Sequence, residues 1–197
     1  PPDATAGRDA AGGMHGDPEM EMAHRAWGAV MERRAWGGAV LTRWPVVVLD
    51  ASPARWCWVT LPGASRIHPV AHTVERVGDA ELSVCAGETW VATAVVPSYG
   101  RLGLLRLESA LPVEDRGRGR LSFVHFDVEL AAATGRLWHE PLDGVVTRLG
   151  RDGVPGPVID RAQRGLRDLD LRLAERSWPF DGWLEVQAER LARRLAA

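Results

Sequence analysis

The 197-residue sequence predicts an α+β domain, an antiparallel β-barrel or half-barrel of about eight strands with C-terminal helices packed over it. Three observations carry that expectation: short apolar runs broken by turn residues up to about residue 130, an alternating strand at 121–130, and a helical periodicity beyond residue 155. Runs of four to ten residues bounded by Gly, Pro, Ser and Asp are the signature of strands in a closely connected sheet. The expected strands are Ala29–Arg34, Val40–Leu49, Trp56–Leu61, Ile67–His72, Leu82–Ala86, Trp90–Val96, Gly103–Glu108 and Leu121–Leu130. Between them stand Gly37-Gly38, Ser52-Pro53, Pro62-Gly63, Gly78-Asp79, Gly87 and Tyr99-Gly100, and residues 112–120 read as a charged, solvated hairpin loop.

The C-terminal third changes period. Val158, Ile159, Ala162, Leu166, Leu169 and Leu173 recur every three or four residues, the apolar stripe of a helix that begins after Pro155-Gly156-Pro157. Ser177-Trp178-Pro179-Phe180 stops it, and Asp181 reads as the N-cap of a last helix running to Leu195. Residues 1–22, rich in Ala, Gly, Asp and Pro, hold little that would order a backbone and read as a disordered tail. The expected organisation is that tail, a barrel core over 23–150, and C-terminal helices of the same domain over 151–197.

Composition narrows the function classes. A net charge of −2 argues against a broad electrostatic grip on nucleic acid or an anionic membrane. All 24 basic residues are Arg, and there is neither Lys nor Asn, a bias that fits GC-rich coding. It removes any Schiff-base lysine and any Asn ligand or oxyanion donor. Cys57 and Cys85 lie far apart without metal spacing, so two reduced core thiols are expected. No apolar window approaches the ~18 residues of a membrane span, and the N-terminus lacks the pattern of a signal peptide. The expected compartment is the cytoplasm. The expected partner is a small-molecule substrate, with no nucleic acid, no membrane, and a homodimer as the candidate assembly.

The strand 121–130 (LSFVHFDVEL) carries most of the chemistry. Alternation projects His125, Asp127 and Glu129 to one side, with Val124, Phe126, Val128 and Leu130 on the other. Three inward polar groups are costly unless paired, and a divalent cation pairs well with carboxylates. The same pattern also suits a solvated outer face, and Glu140 with Asp143 also suits an acidic helix start. His68 and His72, in a stretch read as extended, favour a surface position. Glu88 and Tyr99 flank the barrel mouth as acid–base candidates by position alone, and Trp56, Trp58 and Trp90 are candidates to line a pocket.

Four segments, in order and in register over roughly residues 28–185, resemble the FomD-like barrel family. They are Trp36-Gly37-Gly38 followed by Arg43-Trp44; Trp90 with the strand reaching Leu105-Arg106-Leu107; the alternating strand 121–130; and Val154-Pro155-Gly156-Pro157-Val158-Ile159-Asp160 followed by a helix and Trp178-Pro179-Phe180-Asp181. The resemblance implies hydrolysis of nucleotide-type phosphate or diphosphate esters with divalent metal, Mg²⁺ or Mn²⁺, in a setting such as secondary metabolism. The metal positions it implies are Asp127, Glu129, Glu140 and Asp143. The sequence departs from the family's pattern at three points. Arg106 stands where the family has Asn, His125 where it has Asp, and the family's catalytic Arg falls on Thr42, with Arg43 one residue along. Arg43 would serve only if a bulge turned it inward. A guanidinium beside a dication is repelled by roughly a few kcal/mol at ~4 Å and intermediate dielectric. Catalytic roles are therefore expected at Arg106, His125 and Arg43. The alternative is a metal-independent biosynthetic enzyme, a cyclase, lyase or dehydratase, with His125 and an acid as its proton-transfer pair. A third reading is a binding protein on an eroded enzyme fold.

Overall fold

The computed structural model describes the backbone of residues 27–52, 55–86, 90–98, 102–133, 136–138 and 142–197, with the side chains of 27, 127–138, 142–143 and 145 outside it. The expected tail at 1–22 also lies outside the described residues. Seven strands close a barrel: β1 (Trp27–Arg34), β2 (Val40–Ser52), β3 (Arg55–Thr60), β6 (Ala80–Cys85), β7 (Trp90–Val96), β8 (Leu105–Ala110) and β10 (Arg120–Ala133). The order around it is β1-β10-β8-β7-β6-β3-β2, and β2 pairs back onto β1. β4 (Ser65–His68) and β5 (Thr73–Arg76) form a hairpin on β2, while β9 (Glu114–Asp115) and β11 (Arg136–Trp138) pair with β10. Three helices follow: α1 (Leu142–Arg151), α2 (Gly156–Glu175) and α3 (Trp183–Leu195).

The expected α+β barrel with helices packed on it is what the chain forms, with one difference in strand direction. β1 and β10 run parallel, with Val30 opposite Arg120 and Arg34 opposite Val124. A parallel pair needs a long connection between its strands. The rest of the barrel provides that connection, and this pair is the seam that closes the cylinder. The expected strand Ile67–His72 is also different. β4 ends at His68, the chain turns through Pro69–His72, and β5 returns antiparallel, with His72 in the left-handed region at φ 52°. Proline has no N–H for a ladder, which ends the strand there. The loop expected at 112–120 is largely exposed but lends the two residues of β9 to the sheet.

Alternation divides every barrel strand between two apolar layers. Ala29, Met31, Trp44, Val46, Val48, Trp58, Cys85, Val91, Leu121 and Phe123 point inward and fill the barrel. Cys57, Val59, Leu82, Val84, Trp90, Ala92, Leu107 and Phe126 point outward and meet Ile159, Ala162, Leu166, Leu169, Leu184 and Ala188 of the helices. Cys57 and Cys85 are buried, form no disulfide, and lie on opposite faces of neighbouring strands. Burial pushes the Cys57 thiol up to about 12. α2 starts after Pro155 and ends at Arg176, whose left-handed φ of 51° lets the Ser177 N–H reach Arg172 O at 2.9 Å. At α3 the N-cap position falls on Gly182, while the Asp181 carboxylate still accepts the Trp183 N–H at 3.1 Å. Among the described residues no helix is long and apolar enough to cross a membrane.

Trp90 ties the layers together. Its ring is fully buried, its Nε1 donates to Asp168 on α2 at 3.0 Å, and Arg172 lies over its face at 5.8 Å. Trp90→Ala is expected to cost about 3–5 kcal/mol, mostly for the cavity it opens, read as a lowered urea midpoint; Asp168 keeps its bond from Arg172 Nε.

Candidate active site

The inward residues at one end of the barrel are polar. They surround a cavity of about 150 Å³ lined by Arg33, Thr42, Trp44, Trp58, Arg66, His68, Glu75, Glu81, Ser83, Val91, Thr93, Arg106, Glu108 and Phe123. A single water needs roughly 10–15 Å³ of such space, so a small ligand group fits. Each strand contributes by its parity. Arg33 continues the inward series of Ala29 and Met31, Thr42 that of Trp44 and Val46, and Glu81 and Ser83 that of Cys85. On β8, Arg106 and Glu108 face in while Leu105 and Leu107 face the helices.

Two buried glutamates organise the charges. Glu81 is bridged by two guanidiniums: Arg106 Nη2 donates to Oε1 at 2.7 Å, and Arg66 Nη2 donates to Oε2. The Arg66 guanidinium also lies over the Trp44 ring at 5.6 Å. Glu108 Oε2 lies 3.1 Å from His125 Nδ1 and 3.9 Å from Arg33 Nη1. Burial alone would push the Glu108 carboxyl up. The hydrogen bond and charge of His125, with Arg33 and Arg106 adding to them, outweigh it and hold the group below its ordinary value of 4.5. On the wall formed by β2 and the hairpin, Thr42 Oγ1 lies 3.2 Å from His68 Nδ1, and His68 Nε2 lies 3.5 Å from Glu75 Oε2. Two buried donors of the cavity, Trp58 Nε1 on β3 and Arg106 Nε on β8, have no hydrogen-bond partner among the described residues.

The residues expected from sequence are distributed as follows. Arg106 reaches the cavity. His125 faces the barrel interior but sits behind Glu108, buried, outside the lining. Arg43 is exposed and lies on the outer face of β2, opposite Ile67 of β4; the one irregularity in its pairing with β1 falls between Arg33 and Arg34, too far along to turn it inward. Thr42 holds the inward position in its place, 3% exposed. The side chains of Asp127, Glu129, Glu140 and Asp143 lie outside the described residues, as do Glu88 and Tyr99. The backbone register sets Glu129 opposite Glu108 and His125 opposite Ala110, with an irregularity between the two positions. Of the three tryptophans considered, Trp58 lines the cavity, whereas Trp90 packs under the helices and Trp56 against the barrel's inner cluster. Glu81, Glu108, Arg33 and Arg66 were not singled out from the sequence, although Arg33 shares the parity of Ala29 and Met31, and Glu81 that of Cys85, which is a usable signal.

The described part of the cavity does not fit a divalent cation. Among the described residues no three His, Cys, Asp or Glu side chains converge as a metal would require. The two buried carboxylates already carry guanidinium and imidazole partners, and a dication there would meet Arg106 at close range.

No family model and no curated protein sequence matches the chain. Solved structures do share its fold. The phosphatase SC4828, in complex with the non-hydrolysable nucleotide GPCP, superposes with a TM-score of 0.64 at 19% identity, over 80% of this chain and 89% of that one. FomD in complex with CDP superposes with a TM-score of 0.65 at 12% identity, with the same coverage. The expected FomD-like barrel is therefore the fold of this chain.

A carboxylate whose folded value lies below its unfolded one adds stability above the unfolded value, lost as pH falls through the folded one. Glu108 is such a group, so its contribution should fade as pH drops below about 4.5. The expected outcome is a urea midpoint that declines on acidification below that value in the wild type, and a shallower decline in Glu108→Gln.

Proposed function

We propose that the chain hydrolyses a nucleotide-type phosphate or diphosphate ester, with the charge of the phosphate met by arginines of the barrel mouth. The observation that carries the reading is the convergence of Arg33, Arg66 and Arg106 on one cavity, together with unpartnered donors at Trp58 Nε1 and Arg106 Nε. Guanidiniums match phosphate oxygens in geometry and in charge. Pre-set donors in a dry site stabilise the charge that builds on a transferring phosphoryl group. The aromatic surfaces of Trp44 and Trp58 beside them offer a face for a base or another flat apolar group. The shared fold of a nucleotide phosphatase and a CDP-binding protein supports the choice of substrate class.

Divalent metal belongs to this proposal only through Asp127, Glu129, Glu140 and Asp143, where Mg²⁺ or Mn²⁺ would supply Lewis-acid polarisation of a phosphate oxygen. No step is assigned to it at the described cavity, where arginines already hold the carboxylates.

A second reading is favoured by a specific feature, the buried Glu108–His125 pair at 3.1 Å. Glu108 faces a cavity lined by Trp58 and Phe123 with His125 behind it, an arrangement that suits metal-independent proton transfer by the carboxyl in a cyclase, lyase or dehydratase acting on a small anionic intermediate.

Incubation of the purified protein with a panel of nucleoside di- and triphosphates and nucleotidyl esters, with Mn²⁺ and with EDTA, separates the two. Hydrolysis is expected, with Arg106→Ala and Arg33→Ala each lowering kcat/KM by about 10²–10³. A panel without turnover removes the hydrolase reading. Turnover that persists in EDTA removes the metal from it.

A further inference from the structure

We propose that Thr42 is a nucleophile of this cavity, with His68 as its general base and Glu75 orienting the imidazole, so that hydrolysis passes through a phosphoryl group carried on Thr42. The inference rests on the phosphate-ester reading for the identity of the electrophile, and on geometry for the rest.

The three side chains form a chain of hydroxyl, imidazole and carboxylate. Thr42 Oγ1 lies 3.2 Å from His68 Nδ1, and His68 Nε2 lies 3.5 Å from Glu75 Oε2. An imidazole with one nitrogen facing a carboxylate keeps its proton on that nitrogen, which leaves the other free to accept from the hydroxyl. All three residues line the cavity. Thr42 sits on a rigid barrel strand and is 3% exposed, so its hydroxyl opens to the cavity and not to bulk solvent. Its partner across the ladder is Arg33, also inward, which places a guanidinium beside the group the hydroxyl would attack. The β4–β5 hairpin brings both His68 and Glu75, along with Arg66, so one element delivers the base, its orienting acid and a second guanidinium. A nucleophile bonded to a base that a third group orients is the recurring arrangement of covalent catalysis.

The steps balance without a further reagent except water. Thr42 Oγ1 attacks phosphorus while its proton passes to His68 Nδ1. The bridging P–O bond breaks, and the leaving oxygen takes the proton from His68. Water then attacks phosphorus and gives a proton to the same nitrogen. The P–Oγ1 bond breaks, inorganic phosphate or a phosphomonoester leaves, and Oγ1 takes the proton back from His68 Nδ1, which restores the hydroxyl and the neutral imidazole. Arg33 and Arg66 balance charge on the phosphoryl oxygens in both halves.

An alkyl fluorophosphonate tests the arrangement without requiring a nucleotide, because an activated hydroxyl displaces its fluoride. Peptide mass spectrometry of the wild type should find the phosphonyl adduct on Thr42. Thr42→Ser should keep it, and Thr42→Val and His68→Ala should lose it by at least about 100-fold in rate. Glu75 is a positioning residue: Glu75→Gln should slow labelling about tenfold at unchanged thermal stability, and Glu75→Asp should restore most of it. Thr42→Val keeps the shape of the side chain, and an unchanged Trp emission spectrum confirms that it folds. Absence of label on Thr42, or equal nucleotide turnover by Thr42→Val and wild type, overturns the inference while leaving the hydrolase reading in place. Labelling of Thr42 in a protein that turns over no nucleotide supports the inference and overturns that reading.

Discussion

Two carboxylates, Glu81 and Glu108, are what allow arginines to stand inside a closed barrel. Three guanidiniums converging on a cavity of about 150 Å³ would repel one another in a medium that screens poorly. Glu81 holds Arg66 and Arg106 at its two oxygens, and Glu108 faces Arg33 with His125 behind it. The charges thus fall into two groups, each built on one carboxylate, with the charge of Arg106 also felt by Glu108, and the N–H groups Trp58 Nε1 and Arg106 Nε remain for a ligand. Removing Glu81 would take from Arg66 and Arg106 the carboxylate they share. Removing either arginine would leave Glu81 with the other.

The barrel sets where these two groups can exist. The parallel seam between β1 and β10 closes the cylinder, and Met31, Trp44, Trp58 and Phe123 pack its interior. The helices cover the outer face of β3, β6, β7, β8 and β10, so the sheet there is buried on both sides and rigid. That rigidity suits a site built from single side chains on β1, β2, β6 and β8. Only the wall contributed by the β4–β5 hairpin stands apart from the cylinder, and its outer strand is exposed throughout.

Much of the fold was legible because its signals are local. Turn residues separated the strands, β7 was expected at Trp90–Val96 and is found there, and the stripe from Val158 to Leu173 marked α2. The direction of closure was not legible, since the β1–β10 pairing joins residues about ninety apart and leaves no local mark. The site was legible in part. Alternation at 121–126 correctly turned His125 inward and Val124 and Phe126 outward. The series Trp44, Val46, Val48 already implied that Thr42 faces the interior and Arg43 does not. His68 was set aside because the strand through residue 72 hid the turn at Pro69, and with it the return of Glu75 to the same wall. Glu81 and Glu108 became visible as a pair only once the registers of β6, β7 and β8 brought their strands onto one face.

The most direct test of this charge arrangement is a crystal structure from crystals grown with Mn²⁺, with anomalous data collected at the manganese edge. The expected map shows the guanidiniums of Arg66 and Arg106 on Glu81, His125 against Glu108, and no anomalous peak between those carboxylates. A manganese peak coordinated by Glu81 and Glu108, with Arg106 turned out of the cavity, would contradict the assignment of that space to arginine.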